Sequence, residues 1–220
     1  MTKPVITEAC DGLLFDMDGT LWDAVDSYVK IWNKTIADAG VVRQPVTRQE
    51  LISLMGKQLD VILATLLPGP EGRSPGVQKL LAVNDAAMMP VLGGRLYEGV
   101  TDTLRQLHGH IPLYMVSNCG EQGLENFLTF TGLRPYFTDW LSHGATKKPK
   151  SANIAALVER YNMKHPMYVG DTATDADASA KAGVPMIWCR YGFGTVDKPD
   201  FVIDSITELA GLPPVADALK

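Results

Sequence analysis

No stretch of about 18 consecutive apolar residues occurs anywhere in the chain, so no segment reads as a membrane-spanning helix. The N-terminus, MTKPVITEACDG, also lacks an apolar core followed by a small-residue cleavage site, which leads to the expectation of a cytoplasmic protein with no membrane partner. Cysteine is scarce: Cys10, Cys119 and Cys189 are odd in number and far apart, which argues against a disulfide framework or a zinc site and leaves reduced thiols. Cys119 reads as a small buried hydrophobe. Positive charge is short too, with 20 Lys and Arg against 25 Asp and Glu and no dense basic cluster, so no nucleic-acid partner is expected. The four histidines, His108, His110, His143 and His165, form no group, and no internal repeat or low-complexity segment appears. What is present is ordinary globular material. With 220 residues, 46% of them hydrophobic, the chain can bury one substantial core, or one core and a smaller appended unit. Oligomeric state is not legible.

The densest chemistry lies in Leu13 to Leu21, LLFDMDGTL. Leu13, Leu14 and Phe15 read as a strand buried on both faces, of the kind a parallel sheet uses. Asp16 and Asp18 follow at its carboxyl edge with i, i+2 spacing, so a pleated backbone points both the same way before Gly19 permits a turn. Ligands of open α/β sheets bind outside the carboxyl ends of the strands. The pair is thus either a nucleophile with its acid/base or a pair of metal ligands.

Beyond the turn, helical spacing dominates. Asp23 caps a helix carrying Val25, Tyr28, Trp32, Ile36 and Ala39, closed by Gly40. Thr47 and Glu50 form a capping-box pattern that opens a second helix ending near Met55 and Gly56, with Lys57 and Gln58 in the break. A third helix spans 59–67, residues 68–76 are a loop rich in Pro and Gly, and a fourth helix spans 77–91. No strand is expected from Trp22 to Gly94. From Tyr97 the pattern alternates: a helix over 100–108, a strand over 111–116 ending in Ser117 and Asn118, a helix over 120–131, a short strand at Trp140 and Leu141, and a loop over 144–149 with Lys147 and Lys148. Ser151 caps the next helix. A strand over 167–170 ends in Asp171, Asp175 lies just beyond it, and a helix runs to Gly183 before short strands at 185–189 and 201–203. Such alternation predicts an α/β fold with a doubly wound parallel, Rossmann-like sheet.

Polar groups thus gather at one sheet edge. Asp16 and Asp171 suit a hard cation such as Mg2+, which takes few protein oxygens together with water and a substrate phosphate. A carboxylate nucleophile, Asp16, attacks phosphorus when cationic groups offset the repulsion between two anions, and Lys148 is the expected source of that charge. Ser117 and Asn118 donate hydrogen bonds to phosphoryl oxygens, while Asp18 protonates the leaving oxygen and then activates water.

These residues resemble the haloacid dehalogenase superfamily, in particular its phosphoglycolate-phosphatase-like members. Phe15 to Leu21 matches the first motif, Val116-Ser117-Asn118 the second, Lys148-Pro149 the third, and Gly170-Asp171 with Asp175 the fourth, in order and over nearly the whole chain. The resemblance implies a core of residues 1–21 and 95–220, an inserted all-helical cap over residues 22–94, and Mg2+ on Asp16, the Asp18 carbonyl and Asp171, with Asp175 as a further ligand or water-holding neighbour. Lys147 is the alternative to Lys148. Lys57 and Gln58, at the cap break, are the expected specificity residues. The implied activity is hydrolysis of a small phosphorylated metabolite, of phosphoglycolate or sugar-phosphate type, through an aspartyl-phosphate. The alternatives are phosphotransfer, as in a phosphomutase, and a non-catalytic phosphate-binding module. The haloacid dehalogenases lack the second acid, so Asp18 favours phosphate chemistry. The sugar phosphomutases carry a histidine and an arginine where this chain has Tyr28 and Leu59.

Overall fold

Every residue of the first strand is buried, and its side chains alternate between two apolar clusters. Leu14 packs with Tyr114, Ile154, Leu157 and Tyr168 on one side, and Leu13 and Phe15 join the larger cluster on the other. A strand apolar on both faces can only be an interior strand of a covered sheet. The computed structural model describes residue 6 and residues 8–220, so the N-terminal stretch read for a leader lies partly outside the described residues.

The chain runs β1 (Gly12–Phe15), β2 (Trp22–Asp23), α1 (Val25–Asp38), α2 (Arg48–Ile52), α3 (Leu59–Leu66), α4 (Pro75–Leu92) and β3 (Arg95–Leu96). It continues through α5 (Val100–Leu107), β4 (Leu113–Ser117), α6 (Gly123–Thr131), β5 (Asp139–Ser142), α7 (His143–Thr146) and α8 (Lys150–Arg160). The last elements are β6 (Pro166–Gly170), α9 (Ala173–Ala182), β7 (Met186–Cys189), β8 (Phe201–Ile203) and α10 (Pro213–Ala218). Six strands form one sheet in the order β5-β4-β1-β6-β7-β8, every pairing parallel. The chain leaves β1 toward β4 and β5, then returns to its other side at β6. That reversal makes the carboxyl end of β1 the topological switch point.

Helices α1 to α4 form the insert, a cap beside the α/β core. Thr47 accepts from the Glu50 backbone and Glu50 reaches back to the Thr47 N–H, so the capping box is present. Asn84 on α4 donates to Thr35 (3.1 Å) and Asp38 (3.1 Å), joining α1 to α4 among buried apolar side chains. The expectation of no strand between Trp22 and Gly94 is corrected at its first residues: β2 pairs antiparallel with β3, Trp22 opposite Leu96 and Asp23 opposite Arg95. A two-residue ribbon is too short to show a period in sequence. It clamps the two chain crossings of the insert, and the Trp22 ring stacks edge-on to Phe127 of α6 at 4.9 Å.

Candidate active site

Asp16 and Asp18 leave β1 at the switch point, and Gly19 turns the chain with φ of 81°. A Cβ there would lie 2.1 Å from Asp171 Oδ2, so the absence of a side chain lets the loop close on the acid from β6. Asp171 Oδ2 accepts from the Phe193 backbone N–H (2.7 Å), while Oδ1 is buried with no partner among the described residues. Oxygens of Asp16, Asp171 and Asp175 lie within 4.8 Å of one another.

Lys150 lies among them, its side chain 2% exposed, 2.9 Å from Asp16 Oδ1 and 2.6 Å from Asp175 Oδ1. This corrects the expectation for Lys148. The side chain of Lys148 is exposed, and its backbone carbonyl meets His143 Nδ1 at 2.9 Å. Lys147 is the left-handed cap of α7 and bonds back to Gly144. Helix α8 begins at Lys150, one residue before the expected cap Ser151. Side chains on the first helical turn lean toward the helix N-terminus, which here abuts the sheet edge, so Lys150 reaches into the crevice. The signal available in sequence was the lysine directly after Pro149, since Pro at a helix start marks the next residues as helical.

Asp175 is engaged throughout. Oδ1 takes Lys150 and Tyr168 (3.2 Å), and Oδ2 takes the backbone N–H and hydroxyl of Thr172 (3.0 and 2.6 Å) and the Asp171 N–H (3.3 Å). Five donors on two oxygens fit a carboxylate that orients Lys150 and the β6–α9 loop. The lone pairs left for a cation are on Asp171 and on the Asp16 oxygen that Lys150 does not engage.

Asp18 is half-buried and accepts from Trp22 Nε1 (2.9 Å) and the Tyr28 hydroxyl (3.1 Å). Neither partner was singled out as such in the sequence, because each contact needs the insert folded back on the turn. Ser117 Oγ accepts from the Cys119 N–H (3.2 Å), which leaves its own proton to donate. Asn118 Nδ2 donates to the Gly56 carbonyl (2.8 Å), so this amide ties core to cap. Burial pushes the Cys119 thiol up to about 12, which keeps it in the thiol form near neutral pH.

Four carboxylates, Asp16, Asp18, Asp171 and Asp175, face one ammonium. Burial, the first cause in each case, and mutual repulsion raise Asp16 to about 6, Asp18 to about 7 and Asp171 well above the carboxylate range. Burial also opposes the charges of Asp175 and Lys150, but their ion pair and hydrogen bonds win, lowering the acid and raising the base. An excess of negative charge, with one buried oxygen unpartnered, fits a divalent cation on oxygen ligands. Mg2+ suits this donor set.

Above the carboxylates a cavity of about 330 Å³ runs up into the cap. Its floor is Asp16, Asp18, Ser117 and Lys150, and its walls include Ile31, Trp32, Leu54, Leu81 and Met89. Lys57 lines it from an exposed position; Gln58 sits at the N-cap position of α3, makes no side-chain capping bond and does not line it.

Residues 13–189 match the family model described as haloacid dehalogenase-like hydrolase. A phosphoglycolate phosphatase of Agrobacterium fabrum is 30% identical over 211 residues, covering 89% of each chain. One of Photobacterium profundum is 26% identical, covering 90% of this chain and 93% of its own. In fold, a haloacid dehalogenase-like hydrolase of Streptococcus pneumoniae superposes with a TM-score of 0.81 at 19% identity, covering 94% of this chain and 99% of its own.

Proposed function

Because the chain belongs to the haloacid dehalogenase-like hydrolase family, we propose that it is a Mg2+-dependent phosphatase acting on a small phosphorylated metabolite through a phospho-Asp16 intermediate. The observation that carries this reading is the pairing of Asp16 with buried Lys150 at 2.9 Å, two residues from a second acid raised to about 7. A carboxylate held beside an ammonium can approach a phosphoryl anion, and an acid of that pKa is part protonated at neutral pH.

In the first step an oxygen of Asp16 bonds to phosphorus, the bond to the leaving oxygen breaks, and Asp18 gives that oxygen its proton. In the second, the Asp18 carboxylate takes a proton from water, the hydroxide bonds to phosphorus, and phosphate departs from Asp16. Trp22 and Tyr28 hold Asp18 in place through both steps. The Ser117 hydroxyl and the Lys150 ammonium face phosphoryl oxygens, and the Asn118 amide, by holding Gly56, keeps the cap down over them. Mg2+ on Asp16 and Asp171, with the Asp18 carbonyl as the family resemblance implies, would supply positive charge against the phosphoryl oxygens. Asp175 is read as the residue that positions Lys150. Lys57, at the cavity rim, remains the cap candidate for polar oxygens near the phosphate. Residues 22–94 are taken as the cap, with the β2–β3 ribbon as its base.

Hydrolysis of p-nitrophenyl phosphate and a panel of small phosphate monoesters, with Mg2+ and with EDTA, tests the proposal. Metal-dependent release of inorganic phosphate is expected. Release unaffected by EDTA contradicts the metal assignment, and no release from any ester contradicts the phosphatase reading.

A further inference from the structure

One face of α4 lines the cavity with Gln78, Leu81, Ala82, Asp85, Ala86 and Met89, spaced three and four apart as one helical stripe. Apart from Gln78 at its start, that stripe is apolar except at Asp85, and the opposing wall contributes Ile31, Trp32, Leu51, Leu54 and Ile62. Asp85 has no hydrogen-bond or ion-pair partner among the described residues. The nearest phenol, Tyr28, has already committed its proton to Asp18. Burial alone raises Asp85 to about 6, with no neighbour lowering it, so near neutral pH it is mostly ionised and uncompensated. Half-buried on the wall of the cavity, the Asp85 carboxylate is open to that space and free to take a cationic partner there.

Resting on the phosphatase reading, we propose that Asp85 is a specificity residue that receives a protonated amine on the leaving group of the substrate, which makes the substrate an amino-alcohol phosphate with an apolar body. The phosphoryl end sits on the Asp16, Ser117 and Lys150 floor, the carbon chain lies along Ile31, Trp32 and Leu81, and the ammonium meets Asp85. A cavity of about 330 Å³ is at the small end for ligand sites and suits such an ester. A carboxylate-bearing leaving group of that length would instead bring like charge against Asp85. This separates the chain in substrate from the phosphoglycolate phosphatases it resembles.

The test compares phosphate monoesters of ethanolamine, aminobutanol and aminohexanol with those of diols and hydroxy acids of matched length, in the parental enzyme with Mg2+. At the best length the amino ester should exceed the carboxylate ester in kcat/KM by about 10- to 150-fold, the range of a charge-assisted hydrogen bond. Asp85→Asn, nearly isosteric, should remove that preference through KM while p-nitrophenyl phosphate stays within about twofold. Asp85→Lys should shift preference to the carboxylate ester. A parental enzyme that prefers the carboxylate ester or is indifferent, or an Asp85→Asn variant that loses all three esters equally, overturns the assignment while leaving the phosphatase reading intact. Failure to hydrolyse even p-nitrophenyl phosphate defeats both.

Discussion

Lys150 and Lys148 are two positions apart, yet only Lys150 is removed from water, and its charge is balanced on Asp16 and Asp175. Removing one partner from a buried ion pair typically costs about 3–5 kcal/mol, because the remaining charge is left uncompensated. Lys150→Met is therefore expected to lose activity and to lower the melting temperature clearly, whereas Lys148→Ala should keep both close to parental in a turnover assay and a thermal melt. The acids make a second prediction at this scale. Asp16, Asp18 and Asp85 have folded pKa values raised to about 6, 7 and 6, so the stability each contributes is complete below its ordinary value and is lost as pH rises through the raised one. Asp175, lowered, acts in the opposite sense, but only below the ordinary carboxylate range. EDTA-treated protein should thus melt at progressively lower temperature from about pH 5 to about pH 8, and Asp18→Asn should flatten that slope. Saturating Mg2+, which favours the ionised carboxylates, should flatten or reverse it. A melting temperature that rises with pH without metal would contradict the burial of these acids.

The cap is tied to the core at the break between α2 and α3. Gly56 has φ of 77°, a Cβ there would stand 2.8 Å from Thr172 Oγ1, and its carbonyl receives the Asn118 amide. Left-handed backbone costs an ordinary residue about 1–2 kcal/mol, and the added methyl would press on the hydroxyl that caps α9. Gly56→Ala should hold the cap open. The expected outcome is a several-fold rise in KM for small esters with secondary structure unchanged by circular dichroism, together with faster proteolysis in the α2–α3 segment. The capping box, the four cap helices and the Lys57 break were legible because each is written in local residue types. The β2–β3 ribbon was not, since its pairing joins residues about seventy positions apart and each half is only two residues long.

For the whole molecule, the parallel sheet and the gathering of Asp16, Ser117 and Asp171 at its carboxyl edge followed from apolar strands that each end in a polar group. Long-range contacts were beyond sequence reasoning. Lys150 was hidden by a helix start displaced by two residues, with Pro149 rather than Ser151 at the cap, the Phe193 N–H on Asp171 comes from a loop with no motif, and the Trp22 and Tyr28 bonds to Asp18 exist only once the insert folds over the turn. Asp85 looked like one more polar residue on a long helix until the cavity showed which way that stripe faces. The central claim, that a carboxylate at the end of β1 carries the phosphoryl group, is tested most directly by mass spectrometry of the Asp18→Asn variant. This variant is mixed with Mg2+ and p-nitrophenyl phosphate, whose leaving group needs no proton, and quenched in acid. One phosphoryl group per chain, mapped to Asp16 and absent from Asp16→Asn, is the predicted result. Continued phosphate release with no adduct, or an adduct mapped to any other residue, would contradict the account.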